Sequence, residues 1–167
     1  MNSNVSGFFS ALAVCAMLGG CSQGNEAAVE ARESETVQDE VEKTSSRILE
    51  MMALKGKVTD TGAMVSRCSD YDPEEEIYRA RQPWSVYDLP VSELEKAIGR
   101  LREELPKAGW KIVKDGVDGT AAKSQQIVAE SKGKKFAADI RLMDRRKYSD
   151  SPSLIMVAVE SACYKEK

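Results

Sequence analysis

The clearest pattern in the chain lies between Val91 and Ala108. Val91, Leu94, Ile98, Leu101, Leu105 and Ala108 recur at steps of three and four, which predicts one amphipathic helix with a single apolar stripe. Ser92 and Glu95 have the spacing of a capping box, and Gly109 stands where a helix stop is wanted. Pro106 should kink or loosen the last turn, because its ring clashes with the carbonyl four residues back. A fainter stripe, Val37, Val41, Ile48, Leu49 and Met52, predicts an earlier helix from the mid-thirties to Leu54. Gly56 offers its stop. The hydroxyls of Thr44, Ser45 and Ser46 either interrupt this helix or cap a shorter one near Ser46.

Elsewhere the period drops to two. Residues 62–69 read as a short strand, and Asp70–Glu76 as a turn. In Ile77–Tyr87 the residues Tyr78, Ala80, Trp84 and Val86 share one face, with Arg79, Arg81 and Ser85 on the other. Pro83 has no N–H, so this strand is expected at an edge or with a bulge. Trp110–Lys114, Ser124–Glu130, Lys135–Met143 and Ser153–Ser161 follow as strands, with turns at 115–119 and 131–134. Leu154–Val159 is apolar on both faces, which places it centrally. The order α-β-β-α-β-β-β-β predicts an α+β fold. It is an antiparallel sheet of about six strands, two helices on one face and water on the other.

The N-terminus is different in kind. Phe8–Leu18 is apolar but too short to span a bilayer, so it reads as the core of a signal peptide. It ends in Leu18-Gly19-Gly20-Cys21, which resembles a bacterial lipobox. That resemblance implies cleavage before Cys21 and a diacylglycerol anchor on its sulfur. Met1–Gly7 departs from the pattern in having no Lys or Arg. The chain then divides into a signal at 1–20, an acidic tether at 21–34 and a single domain at 35–167. Residues 22–46 hold seven acids against two bases, which leaves the rest slightly basic. Of the four cysteines, Cys15 would leave with the signal and Cys21 would carry lipid. Cys68 and Cys163 remain, and a compartment outside the cytosol favours a disulfide over two buried thiols. Two cysteines without histidine are too few to hold zinc.

The lipobox, the acidic tether, a helix ending in Gly109-Trp110 and a last strand ending in Ser161-Ala162-Cys163 together resemble the small secreted lipoproteins of actinobacteria. The helix followed by a Gly-Trp strand is also similar, more loosely, to helix-on-sheet modules of envelope assembly lipoproteins. Both resemblances imply an extracytoplasmic, membrane-anchored protein and leave its activity open.

Composition narrows the chemistry. The 167 residues include no histidine, which removes Ser-His-Asp and Cys-His catalysis and the common histidine metal sites. A net charge of −3 argues against a nucleic-acid partner. The run Asp70-Tyr71-Asp72-Pro73-Glu74-Glu75-Glu76 mimics the start of a calcium loop. It lacks Gly at the sixth position, and Arg81 stands where a bidentate Glu is needed, so no metal is expected. Acids are plentiful for a glycan hydrolase, but none lies in an apolar context that would raise its pKa. Arg67, Arg79, Arg81 and Arg141 fall on strands, three of them, with Lys111, in the phase opposite the apolar residues, and are a candidate anion-binding stripe on the open sheet face, as opposed to an ordinary solvated face. Lys132, Lys134, Lys135, Arg145, Arg146 and Lys147 lie in turns. Tyr78, Trp84 and Tyr87 suit core packing better than a ligand pocket. The sequence therefore favours a binding domain without cofactor or catalysis, anchored to the membrane. Its expected partner is an anionic envelope polymer or another envelope protein. The rivals are a histidine-free carboxylate glycan hydrolase and a structural module of an envelope assembly.

Overall fold

A computed structural model describes residues 29–167. The signal peptide and the lipidation expected at Cys21 lie outside the described residues. In chain order the elements are β1 (Ala31–Arg32), α1 (Ser34–Met52), β2 (Lys57–Asp60), β3 (Met64–Arg67), β4 (Ile77–Tyr87), α2 (Val91–Lys107), β5 (Trp110–Val117), β6 (Gln125–Ser131), β7 (Phe136–Met143), β8 (Leu154–Ser161) and β9 (Tyr164–Glu166). Short 3-10 turns occupy Pro73–Glu75 and Lys132–Lys134.

The fold class is α+β, as expected, but the sheet is larger and mixed. Nine strands form it, in the order β1-β9-β4-β8-β7-β6-β5, with β2 and β3 both paired to the far edge of β4. β1 runs parallel to β9, so the sheet is not purely antiparallel. β1, β2 and β9 have two to four residues each, too few to display a period of two. β1 falls within the stretch read as tether, so pairing to the domain begins before residue 35.

Strand β4 is the spine of the sheet. It is not an edge strand, contrary to one expectation from Pro83. β3 pairs with Tyr78–Arg81 and β2 with Trp84–Tyr87, so the ladder on that side breaks opposite Pro83. The missing N–H therefore falls at the break, and Thr61, in the link between β2 and β3, donates to the Pro83 carbonyl at 2.9 Å.

Both helices pack on one face. Val37, Val41, Ile48 and Met52 of α1 and Leu94, Ala97, Ile98, Leu101 and Leu105 of α2 are buried. They meet Ala80, Trp84 and Val86 of β4, Ile127 and Ala129 of β6, Ala138, Ile140 and Leu142 of β7, and Ile155, Val157 and Val159 of β8. Alternation puts all these strand residues on the same side.

The helix ends differ from expectation in instructive ways. α1 stops at Ala53, which takes a left-handed conformation (φ 50°) and donates to Glu50 O at 3.0 Å. Gly56 is needed for another reason: a Cβ there would sit 2.6 Å from the Tyr87 carbonyl oxygen. Thr44 and Ser45 are buried in mid-helix, and Ser46 donates to the Glu42 carbonyl, so the three hydroxyls neither break the helix nor cap it. At α2 the cap is Pro90 and no side chain caps it, so the Ser92–Glu95 box does not form. The helix starts at Val91, two residues before the Glu93 that a Ser92 cap would require, which puts Ser92 inside the first turn. Pro106 lies in the last turn, which Ala108 and Gly109 close by donating to Glu104 O and Pro106 O. Gly109, at φ 85°, is the stop the sequence indicated.

Candidate functional site: the open face of the sheet

Neither helix packs on the other face of the sheet. Its makeup follows from alternation once β4, β8, β7, β6 and β5 are set side by side. One row across the sheet holds Arg81, Glu160, Ala137, Glu130 and Lys111. The next holds Pro83, Ala158, Asp139, Val128 and Lys114. A third holds Ser85, Met156, Arg141 and Gln126, and a fourth Tyr87, Leu154 and Met143. The middle of this face is therefore apolar: Pro83, Ala158, Met156, Leu154, Met143 and Tyr87 form one band. Most are half-buried by their neighbours, and Met156 is 37% exposed. A sheet face left to water usually carries polar side chains at such positions.

Charged groups border the band on two sides. Toward the start of β4, Arg79 and Arg81 both approach Glu160, at 3.6 and 3.9 Å. On the other side, Arg141 holds Asp139 in a two-pronged contact, with Nη2–Oδ2 2.6 Å and Nε–Oδ1 3.1 Å. Gln126 also donates to Asp139 at 2.8 Å, and Lys114 donates to Gln126 at 2.6 Å. Burial pushes the Asp139 carboxyl up, but the hydrogen bonds from Arg141 and Gln126 outweigh it and hold the group below its ordinary value. Arg141 also lies 4.0 Å from Asp118, whose carboxylate is drawn down first by the Thr120 hydroxyl. That carboxylate organises the β5–β6 link by accepting from Thr120 and Ser124.

The structure thus splits the stripe of arginines expected from sequence. Arg79, Arg81 and Arg141 share the open face, but in two clusters with the apolar band between them. Arg67 does not join them. It pairs with Tyr78, in phase with the covered face, lies 5.8 Å from that ring and donates to the Pro73 carbonyl. Each of the three face arginines already has a carboxylate partner, and two of them share Glu160. By contrast, Lys132, Lys134 and Lys135 in the β6–β7 turn are exposed. Trp84 is buried on the helix side and Tyr87 lies on the opposite face, so the aromatic residues line no common pocket.

The sequence reading missed the apolar band as a site. Its signal is Leu154–Val159, apolar on both faces, a pattern that marks a central strand equally well. The acidic run at 70–76 has a local role. Asp72 accepts from Glu74 N at 2.9 Å, and Glu75 accepts from Asp72 N at 3.2 Å, so the capping box sits on this 3-10 turn. Among the described residues no group of three or more Cys, Asp or Glu is placed to hold a metal ion.

Cys68 and Cys163 form a disulfide, with their Cα atoms 6.3 Å apart. Cys68 follows β3, on one edge of β4, and Cys163 precedes β9, on the other. Beside it runs a groove of about 880 Å³ between the turn at 70–75 and the turn at 133–135, with Cys163, Tyr164 and Glu30 on its walls. Among the described residues no helix is long and apolar enough to cross a membrane.

The fold and its open face define a helix-backed sheet domain stapled by one disulfide. No protein-family model matches the chain, and neither does any curated protein or solved structure with which it was compared.

Proposed function

We propose that this chain is a lipid-anchored domain of the cell envelope, facing the extracytoplasmic space, that binds an acidic protein partner through the open face of its sheet. The observation that carries the binding reading is the apolar band on that face. Leu154, Met156 and Ala158 point away from both helices in the central strand, and exposed apolar surface bordered by charge is typical of interaction sites. The border is predominantly cationic, since Arg79 and Arg81 share one carboxylate. An acidic rim on the partner would complete that pair and speed association. An anionic polymer would use the arginines but leave the band in water, so a protein surface fits better.

The compartment rests on two further supports. The Cys68–Cys163 disulfide suits an oxidising environment. The Leu18-Gly19-Gly20-Cys21 motif supplies the anchor. The decisive experiment places a photo-crosslinking residue at Met156 in the protein expressed in a bacterial envelope. A discrete protein adduct is expected, lost when Arg79→Gln and Arg81→Gln are added. In parallel, the mature chain should carry an acyl group on Cys21, and Cys21→Ser should move it to the soluble fraction. An unmodified Cys21 would remove the anchor, and a Met156 probe that captures no protein would remove the docking face.

A further inference from the structure

The point where the N-terminal segment joins the domain is built as a strap. β9 pairs with Ile77 and Tyr78 of β4 on one edge and with Ala31 and Arg32 of β1 on the other. Lys165 N–H donates to Glu30 O at 3.0 Å, and Lys167 N–H to Arg32 O at 3.2 Å. The Tyr164 hydroxyl meets Ser34 Oγ at 2.8 Å, and the Glu166 carboxylate accepts from both the backbone and the hydroxyl of Ser34. Besides the Arg32–Glu40 ion pair and the bond from Val37 N–H to Glu33 O that opens α1, these contacts fasten residues 30–34 through β9. β9 is short, at three residues, and Cys163 stands immediately before it.

We infer that the Cys68–Cys163 disulfide is a redox-sensitive lock on this strap, and that reducing it loosens β1 and β9 ahead of the rest of the sheet. The two sulfurs are unequal. Cys68 is 3% exposed, whereas Cys163 is half-buried and lines the groove of about 880 Å³. A dithiol reductant therefore reaches Cys163. Its thiolate attacks Cys163 Sγ, the S–S bond breaks, and Cys68 leaves as a thiolate that takes a proton from water. The reductant's second thiol then attacks its own sulfur in the mixed disulfide and releases Cys163. The reductant ends as a disulfide, the protein as two thiols, and two electrons have passed between them.

Once the lock is open, β9 is held by two residue pairs to β4 and by the buried Tyr164. Short strands with few buried side chains open locally before the core does. Release of Glu30–Glu33 would lengthen the connection to the membrane by at most roughly 14 Å, at about 3.3–3.6 Å per residue. That consequence for reach rests on the lipid-anchored reading; the lock itself does not.

Hydrogen exchange on the Cys21→Ser chain tests the lock without any lipid. In the oxidised protein, amides of 31–33 and 165–167 should be protected to a degree near that of β4. After treatment with dithiothreitol, or in the Cys163→Ser variant, their protection should fall at least tenfold below that of β7 and β8. It should also be insensitive to low urea, the mark of local opening. Strap protection that falls only in step with β7 and β8 would overturn the inference, because the disulfide would then act on the whole fold. Unchanged strap protection would overturn it too. A lock that behaves as expected on a chain whose wild-type form proves to carry no lipid would leave the lock standing and remove only the added reach.

Discussion

The two faces of this sheet are built from the same strands, often from adjacent residues, yet they do different work. On the covered face Ile155, Val157 and Val159 are fully buried under α1 and α2, in a core that takes in every central strand. On the other face Leu154, Met156 and Ala158 alternate with them, Leu154 and Ala158 half-buried and Met156 exposed. Burial of apolar area stabilises the first set by about 25 cal/mol per Å² removed from water. The second set recovers only part of that. A strand that keeps apolar residues on both faces while one face stays open spends little of that surface on folding, and the proposed docking reading rests on that remainder. The same contrast governs the charges. Arg102 and Asp115 tie α2 to β5 on the covered side, with Nε–Oδ2 2.8 Å, and that bridge belongs to the fold. Arg79 and Arg81, at 3.6 and 3.9 Å from one carboxylate, are loosely held.

The contrast is sharpest in paired truncations. Leu101→Ala, on the covered side, should destabilise the domain by about 2–5 kcal/mol, since a fully buried side chain leaves a cavity. Met156→Ala should change stability by about 0.5 kcal/mol or less, as for other surface positions. Urea denaturation of both variants decides it, and equal losses would mean that the second face is covered after all. A smaller effect is expected from the arginines. Arg79→Gln with Arg81→Gln should shift unfolding by less than about 0.5 kcal/mol, because half-exposed ion pairs contribute little. It should still remove partner capture, which in the parent should fall as salt rises. A loss of several kcal/mol would instead mark the two as partners of a buried acid.

A pH-dependent effect outside both faces, at the β7–β8 loop, serves as a control. The Arg146 guanidinium holds the Asp144 carboxyl down from its ordinary 3.8 to about 2, with help from the Arg146 N–H and Ser153. A carboxyl with a depressed folded pKa adds stability above its unfolded value and loses it as pH falls toward the folded one. Asp144 is partly exposed, so solvent screening keeps the gain below about 1 kcal/mol. Asp144→Asn should therefore be slightly less stable than the parent near neutrality, and the gap should close between about pH 4 and pH 2 in acid unfolding curves. A gap that persists at pH 2 would show that the asparagine costs packing rather than charge.

The sequence by itself determined the elements whose periods are long enough to see. The stripe from Leu94 to Leu105 specifies α2, and Gly109 specifies its end, because a helical repeat over four turns leaves few alternatives. A count of cysteines, with the expected compartment, pointed to the Cys68–Cys163 pair, and the pair is present. Alternation placed Arg79, Arg81 and Arg141 in phases that share a face. Only the tertiary structure decided what period and count cannot reach. It made β4 the spine despite Pro83, because the break between β2 and β3 falls where the proline lacks its N–H. It moved the capping box from Ser92 to Asp72, because helix starts depend on which residue enters the turn first. It took Arg67 out of the stripe, because its pairing with Tyr78 puts it on the other face. It added β1 and β9, whose few residues carry no pattern and acquire strand geometry only by pairing with each other and with β4. And it left Leu154, Met156 and Ala158 uncovered, because an apolar residue in a strand shows that a surface is worth burying, while only the arrangement of neighbouring elements settles whether this chain buries it.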